Sequence, residues 1–141
     1  MANKYLSVVK KAYDTYRAIQ VISASEGRVK IEFQVAEEHL NPMGTLHGGC
    51  TATLVDIVTS TALLATEKAN PGVSVDLCIS YLSAVKLGET IIIDASVLRS
   101  GKNLAYTRAD VLRKSDNKLL ATALHTKAFP LISQNNQIKT N

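Results

Sequence analysis

The strongest constraint on this chain lies in residues 41–66. The loop Asn41-Pro42-Met43-Gly44-Thr45-Leu46-His47-Gly48-Gly49 holds one proline and three glycines in nine residues. From Cys50 to about Thr66 the chain then carries Ala52, Leu54, Val55, Ile57, Val58, Ala62, Leu63, Leu64 and Ala65, with Thr and Ser in the gaps. A run of that length predicts a helix rather than a strand, and its apolar residues call for burial on most sides. The two glycines at its start leave bare backbone N–H groups within a ligand's reach. Asp56 is the one acidic residue between His47 and Glu67. A carboxylate in an apolar helix is costly unless it is paired or used.

The flanking sequence supplies what the helix needs to be buried against. Residues 4–19 place Tyr5, Val8, Val9, Ala12, Tyr13, Tyr16 and Ile19 on one side, which predicts an amphipathic helix. Ile19 to Ala24 is a short extended piece, and Glu26-Gly27 is a turn signal. Val29, Ile31, Phe33 and Val35 alternate with polar residues, as in a half-buried strand. After the stop signal Asn70-Pro71-Gly72, four strand candidates follow: Val73–Tyr81, Ile91–Leu98, Leu104–Leu112 and Leu119–Phe129. Read in order they form a four-strand meander. The expected class is α+β, with an antiparallel sheet of about six strands wrapped around one long central helix. Residues 1–141 are expected to form one domain, with residues 131–141 as a flexible polar tail.

Composition excludes several classes. No apolar run reaches about 18 residues, so no membrane span is expected. Residues 1–20 lack the apolar core of a secretory signal. Cys50 and Cys78 have no metal-ligand spacing and read as buried thiols in a reducing compartment. That favours the cytoplasm. A mitochondrial presequence is the alternative, because residues 4–19 have Asp14 as their one acid. The net charge of +4 is uneven: residues 1–98 hold eight Lys/Arg against ten Asp/Glu, and residues 99–141 hold eight against two. Such a field attracts an anion. Basic residues are not interleaved with aromatics, so a phosphate-bearing small molecule is expected rather than nucleic acid.

The order of elements, the Gly44-Thr45-Leu46-His47-Gly48-Gly49 loop and the block Thr51-Ala52-Thr53-Leu54-Val55-Asp56 together resemble the hotdog-fold acyl-CoA thioesterases. Pro71-Gly72-Val73-Ser74-Val75-Asp76 and Leu87-Gly88-Glu89 extend the likeness, which runs from about Val29 to Lys127. The resemblance implies hydrolysis of a fatty acyl-CoA, medium to long chain favoured, with no cofactor beyond the substrate's own coenzyme A and no metal. It implies that Gly48 N–H polarises the thioester carbonyl, that His47 supports that loop, and that Asn41 helps hold the thioester or the water. It gives Asp56 the part of catalytic carboxylate and sets Ser74 near the attacking water. It also implies coenzyme A contacts at Asp76, at Tyr81, Leu82, Ser83, Ala84, Val85 and Lys86, and at Arg99, Ser100, Gly101, Lys102, Asn103 and Leu104. Ala128 stands where the family carries a histidine near coenzyme A.

The chemistry agrees with those roles. Water attack turns the carbonyl oxygen into an oxyanion, which needs donors already aimed at it. A helix N-terminus supplies N–H groups and partial positive charge. Gly48 and Asp56 are eight residues apart, about 12 Å along a helix. One carbonyl and its water are not easily reached by both from one chain. Two subunits solve this, with Asp56 of one facing Asn41 and Gly48 of the other. A homodimer or a homotetramer built as a dimer of dimers is therefore expected, as the family also implies. Two other readings use the same scaffold. A non-catalytic acyl-CoA binder would not need Asp56. A hydratase would need a histidine–acid pair, and spacing pairs none of His39, His47 and His125 with an acid.

Overall fold

The structure is a computed structural model and describes residues 3–130. Helix α1 (Lys4–Ala12) is followed by strands β1 (Ile19–Ser25) and β2 (Arg28–Gln34), a short 3-10 turn (Glu37–His39), and helix α2 (Gly48–Leu64). Strands β3 (Val73–Tyr81), β4 (Thr90–Ser100), β5 (Leu104–Arg113) and β6 (Leu119–Ala128) complete the fold. The six strands form one antiparallel sheet in the order β1-β2-β4-β5-β6-β3. This is the expected α+β architecture, with α2 as the central helix packed against the sheet. The expected flexible tail, residues 131–141, lies outside the described residues.

The first helix is shorter than its apolar period suggests. It ends at Ala12 rather than at residue 19. Asn3 caps its start by accepting from the N–H groups of Tyr5 and Leu6. Lys10 and Lys11 suit its C-terminal end. Asp14 and Thr15, both weak helix formers, follow at once. Tyr13 is buried with its hydroxyl 2.7 Å from Thr61 Oγ1 on α2, and Ile19 is already paired with Phe33 in the sheet. Residues 13–18 are left to turn the chain.

The four-strand meander is also corrected. Strand β3 does not pair with β4; it crosses to the far edge and pairs with β6. The connection of residues 82–89 is held on its way. Leu82 and Ser83 donate backbone N–H bonds to Leu120 O at 2.8 and 3.1 Å, and Leu46 N–H donates to Val85 O at 2.8 Å. A bridge joins Thr45 to Lys86. The crossover thereby runs beside the loop that feeds α2. Its strand β3 keeps one free edge, and Val73, Val75, Cys78 and Tyr81 are exposed. Cys78 is thus not the buried thiol expected from the sequence, because an edge strand leaves it open; Cys50 is half-buried.

The core is built from the inward residues of alternating strands. Val29, Ile31, Phe33, Ile91 and Ile93 supply bulk on one side. Under the rest of α2 the floor is small: Ala95, Ala105, Ala109, Ala121 and Ala123 are all buried. Small side chains let α2 approach the strands closely, against its own Val55, Val58 and Ala62. Ala109→Leu is expected to overpack this floor and lower stability by about 1–3 kcal/mol. Urea unfolding followed by circular dichroism checks it; unchanged stability would mean that the floor has slack.

Candidate active site

Two clusters of polar groups flank α2, one at its start and one at its middle. At the start, Asn41 folds the loop around itself. Its Oδ1 accepts from the N–H groups of Met43 (3.0 Å) and Thr45 (3.1 Å), and its Nδ2 donates to Thr45 Oγ1 at 2.9 Å. This local carbonyl bonding is the Asx turn that asparagine favours. The acceptor side of Asn41 is therefore committed, and a second Nδ2 hydrogen is what it can offer outward. Towards a ligand, its geometry makes Asn41 a donor.

His47 caps α2. Its Nδ1 accepts from Gly49 N–H at 2.9 Å, and its own N–H donates to His39 O at 2.8 Å. The first amides of a helix have no intrahelical acceptor, and His47 satisfies one of them. A Cβ at Gly49 would sit 3.2 Å from His47 Nδ1, so glycine here makes room for the cap. Tyr81, from β3, donates its hydroxyl to Gly48 O at 2.7 Å. Asn41, Gly48, Tyr81, Leu82, Ser83, Ala84 and Val85 share a cavity of about 370 Å³. The segment Tyr81–Val85 and the loop are thus brought together, with exposed Lys86 next in the chain.

Asp56 lies elsewhere. Its side chain is 50% exposed rather than buried in apolar surroundings, because one side of α2 is uncovered in the single chain. Exposed Thr53 and half-buried Asp56, Ile57, Ser60 and Leu64 form that partly uncovered stripe at helical spacing. Around Asp56 stand Ser60 Oγ at 3.4 Å, His125 Nδ1 at 3.9 Å and Lys127 Nζ at 4.0 Å. His125 is fully buried. Its Nδ1 meets Thr59 Oγ1 at 2.7 Å and its Nε2 meets Ser74 Oγ at 2.8 Å. Lys127 is buried too, with its Nζ donating to Ser60 Oγ at 2.8 Å. Burial pushes the Lys127 ammonium down from its usual range, against the pull of Asp56. Burial also pushes the His125 imidazole down, helped by Lys127 and opposed by Asp56 and Asp76.

Ser74 therefore lies on the Asp56 side, bonded to the His125 ring that stands 3.9 Å from Asp56, while Asn41, His47 and Gly48 stand together at the helix start. The single chain does not unite the two groups. Nor does it unite the segments expected to meet coenzyme A. The β4–β5 turn of Arg99 to Leu104 sits at the C-terminal end of α2, where Lys68 Nζ donates to Gly101 O (3.0 Å) and Lys102 O (3.2 Å). Asp76 is exposed on β3. The basic C-terminal third is not one open face. Arg108 pairs with Asp110, Arg113 with Glu89 and Asp116, Lys114 with Glu32, and Lys127 points inward.

The sequence reading missed Thr59, His125 and Lys127. Their signal was present in the alternation of β6, where Ala121, Ala123, His125 and Lys127 fall on the buried face. A histidine and a lysine on the inner face of a strand mark a built polar site. The histidine–acid proximity that spacing did not reveal also comes from this register. Both ring nitrogens of His125 are already bonded to hydroxyls, so it does not face a substrate directly. Among the described residues no group of three or more His, Cys, Asp or Glu is placed to hold a metal ion, and no helix is long and apolar enough to cross a membrane.

Known proteins are similar to this chain in sequence and in fold. Residues 43–120 match the sequence profile of the Thioesterase superfamily. The chain is 54% identical over 109 residues to a Homo sapiens protein named acyl-coenzyme A thioesterase 13, which covers 77% of this chain and 78% of the relative. The structure of thioesterase superfamily member 2 from Mus musculus superposes with a TM-score of 0.85 at 38% identity, over 92% of this chain and 100% of that one. The zebra fish thioesterase superfamily member 2 gives 0.82 at 41% identity, over 88% and 94%.

The lowered imidazole has a consequence for stability. An unfolded His125 takes up its proton near the ordinary 6.5, while the folded one resists it. The unfolded chain then binds more protons just below pH 6.5, so stability falls as pH drops through that window and is unaffected by this group above it. His125→Gln is expected to flatten that part of the stability–pH curve relative to the parent. Parallel slopes of the two proteins between pH 7 and 5, measured by denaturant unfolding, would contradict the shift.

Proposed function

The chain belongs to the Thioesterase superfamily, and from that premise we propose that it hydrolyses fatty acyl-CoA, medium to long chain favoured, to free acid and CoA. The observation that carries the reading is the position of the two polar clusters at opposite ends of one free-edged strand. Gly48 is tied to Tyr81 at one end of β3, and Asp56 stands 3.9 Å from the His125 ring that bonds Ser74 near the other. Seven residues of strand span about 23 Å, too far for one thioester. Antiparallel pairing of β3 with its copy, about a two-fold near Leu77, sets Ser74 of one subunit against the Ser80–Tyr81 end of the other. It also offers a partner surface for the uncovered stripe of α2. In this homodimer each site takes Gly48 and Asn41 from one subunit and Asp56 and Ser74 from the other. Exposed Tyr106 and Leu124 on the outer sheet face suit a further pairing of dimers into a tetramer.

The steps follow from these groups. Gly48 N–H and the outward Asn41 amide hydrogen bind the thioester oxygen, in the field of the α2 N-terminus. Asp56 takes a proton from water as the water oxygen bonds to the carbonyl carbon, and the oxygen becomes an oxyanion. The C–S bond then breaks, and the CoA sulfur leaves with the proton returned by Asp56. His47 acts by holding the loop. The acyl chain enters the cavity beside Leu82 and Val85, with Ser83, Ala84 and Lys86 towards coenzyme A. Lys86 on one side and Arg99 and Lys102 at the far end of α2 meet its phosphates from more than one subunit, with Asp76, Ser100, Gly101, Asn103 and Leu104 near them. No cofactor is needed beyond the substrate's own coenzyme A. The free thiols suit the cytoplasm, with the mitochondrion as the alternative.

Hydrolysis of a series of acyl-CoAs by the purified protein tests this. Asp56→Ala and Asp56→Asn are expected to lower kcat by about 10²–10⁴ with little change in KM. Unchanged turnover in either variant would sink the mechanism, and a flat or short-chain profile would remove the chain-length preference.

A further inference from the structure

The polarity of the His125 cluster follows from where the single hydrogen of Thr59 goes. Thr59 Oγ1 lies 2.8 Å from Val55 O on its own helix and 2.7 Å from His125 Nδ1. A hydroxyl has one hydrogen. If it is given to Val55 O, the helical acceptor four residues back, then Thr59 Oγ1 accepts, and His125 Nδ1 must carry the ring proton. His125 Nε2 is then a bare lone pair, and the hydroxyl 2.8 Å away, Ser74, must donate to it. Ser74 Oγ, on the exposed edge strand, is left with acceptor lone pairs facing outward.

We propose that Thr59 and His125 are positioning residues that lock Ser74 as a hydrogen-bond acceptor towards the attacking water. The proposal rests on the thioesterase reading above. A water that donates one hydrogen to Ser74 and the other to Asp56 has its lone pair turned to the thioester carbon. With His125 protonated, Nε2–H would donate to Ser74 and free the serine hydrogen, which would then compete for the water's lone pair. Several features hold the ring neutral. It is fully buried, Lys127 is nearby on β6, and the hydroxyls at both nitrogens are neutral. The charged groups facing it are Asp56 from α2, Asp76 from β3 and Lys127 from β6; from β5, Thr107 Oγ1 donates to the backbone oxygen of His125 at 2.8 Å.

Long-range proton–nitrogen NMR on the full-length nitrogen-15-labelled protein at pH 7 reads the tautomer directly. The expected spectrum is a neutral His125 with its proton on Nδ1, against the usual preference of free histidine for Nε2. Thr59→Val keeps the side-chain shape and removes the acceptor. It is expected to lower kcat about tenfold or more with KM unchanged, and Thr59→Ser to restore it. A proton on Nε2, a doubly protonated ring, or full kcat in a folded Thr59→Val would each overturn the proposal. A parent protein without thioester hydrolysis would sink the thioesterase reading, and with it the water-orienting role, while the spectrum still decides the direction of the hydrogen bonds.

Discussion

An α-helix rises about 1.5 Å for each residue, and that fixed step governs this molecule. The N–H groups of its helix start are at Gly48 and its carboxylate is at Asp56, on one rigid rod packed against a sheet. Neither can slide towards the other. The neighbouring groups repeat the separation: Tyr81 stays with Gly48 and Ser74 with the Asp56 end, at the two ends of β3. Two separations in the same sense, about 12 Å along the helix and about 23 Å along the strand, would both be closed by one operation, a two-fold at the middle of β3. A short free edge and an uncovered helical stripe are the surfaces that such an operation would use.

The polar cluster beneath α2 is costly to build and is fully satisfied. No buried side-chain nitrogen or oxygen among the described residues lacks a partner. His125 and Lys127 are each removed from water, yet each meets a hydroxyl from α2 within 2.8 Å. Hydroxyls of Thr59 and Thr61 also bond back to their own helix, so the positions that break its apolar pattern serve to anchor it. The same threonines that make α2 less apolar than a membrane span connect it to β6 and to Tyr13.

The class of fold was legible because its signals are local. A long apolar run, period-two strands and turn residues at Glu26-Gly27, Pro71-Gly72 and Gly101 all act over a few residues. What was not legible depends on distant pairing. The migration of β3 to the far edge comes from bonds that residues 82–86 make to Leu120, Thr45 and Leu46. The early end of α1 comes from Tyr13 reaching Thr61 and Ile19 joining Phe33. At the site, Asn41, His47 and Gly48 could be named from the loop, and Asp56 from its isolation. His125 and Lys127 were hidden inside an apparently ordinary strand, and only its register shows them facing Asp56.

The division of one site between two chains is tested most directly by mixing inactive subunits. Asp56→Ala and Asn41→Ala proteins, each inactive alone, are co-refolded in equal amounts and assayed. If each site draws Asp56 from one chain and Asn41 from the other, every mixed dimer carries one intact site, and about a quarter of the parent activity returns after random exchange. No recovery, with subunit exchange confirmed by mass-tagged chains, would contradict the shared site and return both groups to a single chain.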